Sequence, residues 1–319
     1  MAERDQPLPW ARCDHNKCIG IQLDNQKCLA HCDEDERRAT LDRLRQGEAL
    51  NFTPGVPIAP ELLRDIIDAA PNGRLRNANF SRATFVGEAA FGGIGFEDGV
   101  NFIAATFEKQ ADFYGTVFSP GPRAISFSEA IFEAGVSFHS RFQGNPNFSE
   151  ATFKGPAFFS ESTFEGNANF WRCTFHGTLR VELSSFNRSC NFNDAIFRDQ
   201  VVFGRAPCRE GQLSFREATF EKAIQLGRLL AKDAVVLDNA VFQQRLEIKV
   251  SAAMLLCRRV RFLDGVHMRL RWAGLALDGA DLAHPAILSS SSHGEPEEAD
   301  FQDHLRSWPG PPRPDASLG

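Results

Sequence analysis

Large apolar residues recur along this chain in steps of five and six. Phe80, Phe85, Phe91, Phe96, Phe102, Phe107, Phe113 and Phe118 open the series. After an interruption at Pro120 to Arg123 it resumes at Phe127, Phe132 and Phe138 and slips once to Phe142. It then runs through Phe148, Phe153, Phe159, Phe164, Phe170, Phe175, Val181, Phe186, Phe192, Phe197 and Phe203. Beyond a stumble at Cys208 to Gln212 come Phe215, Phe220, Leu226, Ala231, Leu237, Phe242 and Ile248, and the series fades through Cys257, Phe262, Met268, Leu277 and Leu282. At about 100° per residue a helix would scatter these positions around its whole surface. A continuous strand fails too, because a step of five switches faces. A chain that turns a corner between successive rings satisfies the pattern, each short straight segment sending one ring inward.

The neighbours agree with this reading. Two residues before most rings stands a small or apolar residue, as at Ala78, Ala83, Ala89, Ala105, Ala151, Cys173 and Cys190, and the residue between is often polar, as at Asn79, Thr106, Asn147, Asn169 and Asn191. Residues two apart on an extended segment point the same way. Gly often follows two after the ring (Gly87, Gly115, Gly155, Gly166, Gly177), where it is expected to ease the corner backbone. Four sides per coil use about 20–22 residues, and coils stack at about the 4.8 Å strand spacing. The pattern therefore predicts an all-β solenoid. The composition supports a dry interior: 29 Phe stand against one Tyr, whose hydroxyl would lack a partner there.

"ANFSRATF", "ADFYGTVF", "NFSEATFKG" and "NFNDAIFRD" resemble the Phe-rich repeats of the pentapeptide-repeat family over residues 75–283. The resemblance implies a right-handed quadrilateral β-helix. It says little about activity, because the motif describes the core.

Residues 1–74 lack the repeat. "CDHNKCIGIQLDNQKCLAHC" gathers Cys13, His15, Cys18, Cys28, His31 and Cys32. Two paired clusters joined by a short loop are what tetrahedral zinc needs, and Cys13, Cys18, Cys28 and His31 form the best set; Cys32 or His15 can substitute, and free thiols or a redox pair are the alternatives. A structural zinc would stabilise a segment with few large apolar residues. The Cys/His pattern also looks like a module that precedes Phe-rich repeats in some bacterial members of the family. Asp33 is placed to cap a helix over "EDERRATLDRLR", and Pro60 to begin one over "PELLRDIIDAA" that ends at Pro71-Asn72-Gly73. The expected organisation is a Cys/His module at 1–46, a linker and capping helix at 47–74, the β-helix at 75–283 and a disordered Ser/Pro/acid-rich tail at 284–319. The second helix caps the open first coil or docks a partner.

Near the far end, Arg258, Arg259, Arg261, Arg269 and Arg271 face a single Asp264. They form either a contact patch for nucleic acid or an acidic protein, or simply the outward face of the last coils. No Ser/His/Asp constellation, phosphate loop or reachable nucleophile is apparent, and "GGIG" at 92–95 reads as a corner, so catalysis is not expected. The leading expectation is a non-enzymatic scaffold for an unknown protein partner, with end-to-end self-association through the uncapped C-terminal coil as a further possibility. The resemblance also raises mimicry of DNA toward DNA gyrase. That needs an acidic rod, whereas acidic and basic residues nearly balance between Arg76 and Lys249. Direct nucleic-acid binding through the zinc module and the basic patch is a third reading. With no apolar run long enough to span a bilayer and no secretory signal pattern, the expected location is cytoplasmic, away from membranes.

Overall fold

In most coils the ladder is cut into strands of two residues, which end either on the inward ring, as Thr106–Phe107, Thr152–Phe153 and Thr174–Phe175 do, or one residue before it, as Ala111–Asp112 and Ala168–Asn169 do. The computed structural model describes residues 8–290 apart from 52, 205, 223, 272–273 and 283–285. Corners close by β-turns in which the amide two before one ring bonds the carbonyl of the ring behind it, as in Ala83 N to Phe80 O (3.0 Å), Ala105 N to Phe102 O (3.0 Å) and Ala151 N to Phe148 O (3.0 Å). Every named strand pairs in parallel with the equivalent strand of the next coil, as Thr84↔Thr106, Ile131↔Thr152 and Thr174↔Ile196 show on one side. The result is a parallel β-solenoid of about nine turns, with two α-helices among the described residues.

Rings one coil apart stack face to face. Down the column of Phe85, Phe107, Phe132, Phe153 and Phe175 the centroids lie 4.7, 4.7, 5.0 and 4.7 Å apart with planes within 4°. Similar columns start from Phe80, Phe91 and Phe96. Rings of neighbouring columns meet edge-on, as Phe148 does Phe159 (5.4 Å, 88°). Offset and T-shaped contacts are the favoured aromatic geometries. Tyr114, the single tyrosine, stands on a corner and is 63% exposed. Toward the C-terminus smaller buried residues take over: Val181, Cys208, Ala231, Leu237, Ile248, Cys257 and Met268. Leu277 is only partly buried and Leu282 is exposed, so the ladder stops contributing to the core earlier than its spacing suggests.

Of the glycines two after the ring, Gly93 (φ 73°) and Gly115 (φ 68°) hold left-handed corners as their spacing suggests, but others have a different role. The left-handed corner positions are held mostly by other residues, among them Arg82, Glu129, Glu150, Arg172 and Asp194 (φ 54° to 60°). Gly155 and Gly177 have no such φ. A Cβ on Gly177 would lie 2.5 Å from the Gly155 carbonyl carbon, and one on Gly155 would lie 2.4 Å from that of Ala134. Glycine is required there because consecutive coils touch backbone to backbone.

The first coil begins earlier than the sequence indicates. Asn79 N bonds Leu50 O (2.8 Å), Gly55 N bonds Ser81 O (2.8 Å), and strand β1 (Pro57–Ile58) pairs with Thr84–Phe85. Leu50 and residues 53–58 thus belong to the terminal rung and not to a linker. Helix α1 (Glu34–Arg45) takes its N-cap bond from Asp33, whose side chain accepts from Glu36 N (2.9 Å). Helix α2 (Pro60–Ala69) starts at proline and buries Leu62, Leu63, Ile66 and Ala69, so its apolar face is used within the chain. The interruption at 120–123 folds down over the earlier coils: Arg123 Nε donates to Asn77 Oδ1 (2.6 Å) and its Nη2 to Asn51 Oδ1 (3.2 Å). At the other end, residues 286–290, expected in the tail, form the strand Ala286–Ser290 in register with Val266–Arg271. The rest of the expected tail, 291–319, lies outside the described residues.

Candidate metal centre

Two short loops bring the N-terminal thiols together. In the first, Cys13 N bonds Gly20 O (2.7 Å), Arg12 bridges to Ile21, and Cys18 N closes a turn on His15 O (2.8 Å). In the second, Cys28 begins a single helical turn, its carbonyl accepting from His31 N (2.8 Å) and Cys32 N (2.9 Å). The three-residue step from Cys28 to His31 places both ligand atoms on one side of that turn.

The ligand atoms of Cys13, Cys18, Cys28 and His31 all lie within 4.8 Å of one another, and among the described residues they form the one Cys/His/Asp/Glu group placed to share an ion. Cys18 Sγ and Cys28 Sγ are 3.8 Å apart; His31 Nδ1 is 3.3 Å from Cys28 Sγ and 3.5 Å from Cys13 Sγ. A tetrahedral ion about 2.3 Å from sulfur holds its ligand atoms about 3.8 Å apart, so the cluster has the dimensions of a closed four-ligand site. Backbone amides steady the sulfurs: His15 N donates to Cys13 Sγ (3.4 Å) and Gly20 N to Cys18 Sγ (3.4 Å). His15 stacks on the His31 ring, with centroids 4.0 Å apart. Cys32 turns away, its thiol donating to Leu29 O (3.4 Å).

Burial pushes the Cys28 and Cys18 thiols above their usual range. At Cys13 burial acts in the same direction, but the His15 amide and neighbouring groups outweigh it and hold the thiol below its usual value. Burial, then the nearby charges of His15 and Lys27, lower the His31 pKa and favour the neutral imidazole a metal requires. A cation among the three sulfurs would reverse the penalty on their ionised forms.

The cluster is seated directly on the terminal rung. Ile21 N bonds Pro54 O (2.8 Å). Gly20 packs so closely that a Cβ there would lie 2.9 Å from Cys28 Cβ and 3.3 Å from Val56 Cα. Gly55 (φ +68°) leaves room for the Ile19 carbonyl, which also accepts from Trp10 Nε1 (2.8 Å).

The other residues singled out from the sequence do not converge. Arg258 binds the buried Asp238 carboxylate through Nη2 (2.6 Å) and Nε (3.1 Å), and Arg259 Nε donates to Asn239 Oδ1 (2.8 Å). Burial alone would raise the Asp238 pKa, but the bonds and charge of Arg258, with Arg216, hold it below the usual carboxylate range. Arg261 lies on the sheet containing Phe262, whereas Arg269, 3.9 Å from Glu247, and Arg271 lie on another. The arginines are thus spread over separate sides. Cys173 and Cys190 are fully buried, and burial raises both thiols. Sequence reasoning missed the use of Asn147, Asn169 and Asn191, which are linked coil to coil through their side-chain amides (2.9 and 3.0 Å). Their signal was present as identical Asn residues 22 apart.

A family profile described as pentapeptide repeats, in nine copies, matches residues 138–185. The same strand register and ring columns extend through the coils on either side of that segment. Residues 138–185 are pentapeptide repeats within this solenoid. Comparison with curated proteins and with solved structures returned no match. The pentapeptide-repeat region thus carries the family's core, and the Cys/His cluster is joined to its first rung. Among the described residues, no helix is long and apolar enough to cross a membrane.

Proposed function

We propose that this chain is a non-enzymatic interaction scaffold, a stiff rod whose N-terminal end is closed by a structural zinc module. The observation that carries the scaffold reading is the filled interior. Stacked rings occupy it coil after coil, so side chains that can meet another molecule lie on the outward faces, in fixed register. Such a surface suits a partner that reads a row of groups along the rod. Zinc is the reading of the four-ligand cluster because three sulfurs and one imidazole are its usual donors in closed structural sites.

The outward charges favour a protein partner over a role as a copy of DNA. Lys154 pairs with Glu133 (2.8 Å), Arg141 with Glu165 (2.6 Å) and Lys222 with Asp199 (3.0 Å), each across adjacent coils. Interleaved signs of this kind do not make a phosphate-like field. The test is affinity capture with the intact chain and with variants altered on one outward face at a time, such as Lys154→Glu, Arg180→Glu or Arg141→Glu, which lie on three different sides. A partner lost from one face variant and kept by the others is the expected result. The same captured set from every folded variant would contradict the scaffold reading.

A further inference from the structure

The four cluster residues are not equally reachable. Cys28 is completely buried and Cys13 nearly so, whereas Cys18 is partly exposed. Cys18 Sγ also has another sulfur within reach, Cys28 Sγ at 3.8 Å, and Cys28 Sγ in turn lies 3.3 Å from His31 Nδ1. A disulfide requires the sulfurs to close to about 2.05 Å, a shift of under about 2 Å, and both cysteines sit on short loops. The four cysteines of the solenoid, Cys173, Cys190, Cys208 and Cys257, are buried, and burial pushes the Cys208 and Cys257 thiols up to about 12. Cys32 is also buried, with its thiol turned to Leu29 O. Of eight cysteines, one therefore combines access to solvent with a second thiol at short range.

From this asymmetry we infer that Cys18 is an oxidative modification site, and that a peroxide converts Cys18 and Cys28 into a disulfide and so expels the metal. The inference rests on the zinc reading for its consequence and for the ease with which the two sulfurs ionise, not for the disulfide itself. The Cys18 thiolate attacks one oxygen of hydrogen peroxide and the O–O bond breaks. Hydroxide leaves and is protonated to water, leaving Cys18 as a sulfenic acid. The Cys28 thiolate then attacks the Cys18 sulfur, the S–O bond breaks, and the second hydroxide leaves as water after taking a proton. Two thiolates lose two electrons, the peroxide gains them, and two protons come from solvent. Only Cys13 and His31 then remain as donors, too few for a closed tetrahedral site.

The experiment uses the full chain. Zinc content is first measured on the purified protein, and a near-absence of zinc would count against the zinc reading alone. The protein is then treated with limiting hydrogen peroxide, in parallel with a chelated sample. Zinc release is followed with a coloured chelator, and the cysteines are mapped by mass spectrometry after alkylation. The expected result is stoichiometric zinc release with a Cys18–Cys28 disulfide, while Cys173, Cys190, Cys208 and Cys257 stay reduced. The chelated sample is expected to form the same disulfide, which separates this chemistry from the identity of the metal. A reduced Cys18 after peroxide treatment in both samples would overturn the inference, as would a first disulfide that involves Cys32. Cys32→Ser, which leaves all four cluster residues in place, is expected to oxidise like the parent.

Discussion

Phe153 lies between Phe132 and Phe175 in its column, 5.0 and 4.7 Å from their centroids, and is fully buried. Phe153→Ala opens a cavity that stacked coils cannot close, and a loss of about 3–5 kcal/mol in denaturant unfolding is expected. Phe153→Tyr is expected to destabilise as well, since its hydroxyl would be buried without a partner. Gly155 makes a sharper test of the packing. Its backbone is not left-handed, so a conventional corner argument predicts that alanine is tolerated. The close approach to Ala134 predicts instead a destabilisation of about 1–3 kcal/mol for Gly155→Ala, read from the same unfolding curve. The ring spacing was legible in the sequence because it repeats within a single coil. The reason for Gly155 was not, because it depends on the backbone of the coil below, which lies about one full turn away in the chain.

At the scale of the element, the Asn row shows how a coil is joined to the next. Asn169 donates to Asn147 Oδ1 and accepts from Asn191 Nδ2, and its Oδ1 also receives the amide of Trp171 (3.2 Å). Asn169→Ala removes these together, and a cost of about 1–3 kcal/mol is expected. The sequence placed these side chains outward, correctly, but outward position alone did not disclose that they bond along the rod. Asp238 is a comparable joint between coils. Its folded-state pKa is depressed by Arg258 and Arg216, so its contribution is present above the unfolded pKa of about 3.9 and is lost as pH falls through the folded value. Asp238→Asn is therefore expected to lose less stability than the parent on acidification below about pH 4, measured by unfolding at a series of pH values. The Cys/His module was legible through its spacing, which named six candidate ligands. Choosing among them needed the turn at Cys28, which sends Cys32 to Leu29 O.

At the scale of the whole molecule, a solenoid's stability is a chain of neighbour-to-neighbour couplings, so its ends decide where it opens. The sequence showed that the first coil needed closing and pointed to α2. It did not show that Leu50 and residues 53–58 contribute a rung of their own, because the five-and-six spacing of the ladder runs continuously only from Phe80. The Cys/His cluster, the terminal rung and the first full coil form one continuous structure through the Ile21–Pro54, Gly55–Ser81 and Asn79–Leu50 bonds. A metal in the Cys/His cluster would hold this end of the rod shut. Residue-resolved hydrogen exchange of the full chain, with and without a zinc chelator, tests it most directly. Removal of the metal is expected to speed exchange at Ile21, Gly55 and Asn79 while leaving Phe148, Phe159 and Phe170 unchanged. Unaltered exchange at the first three amides, or equal acceleration along the whole rod, would contradict the account.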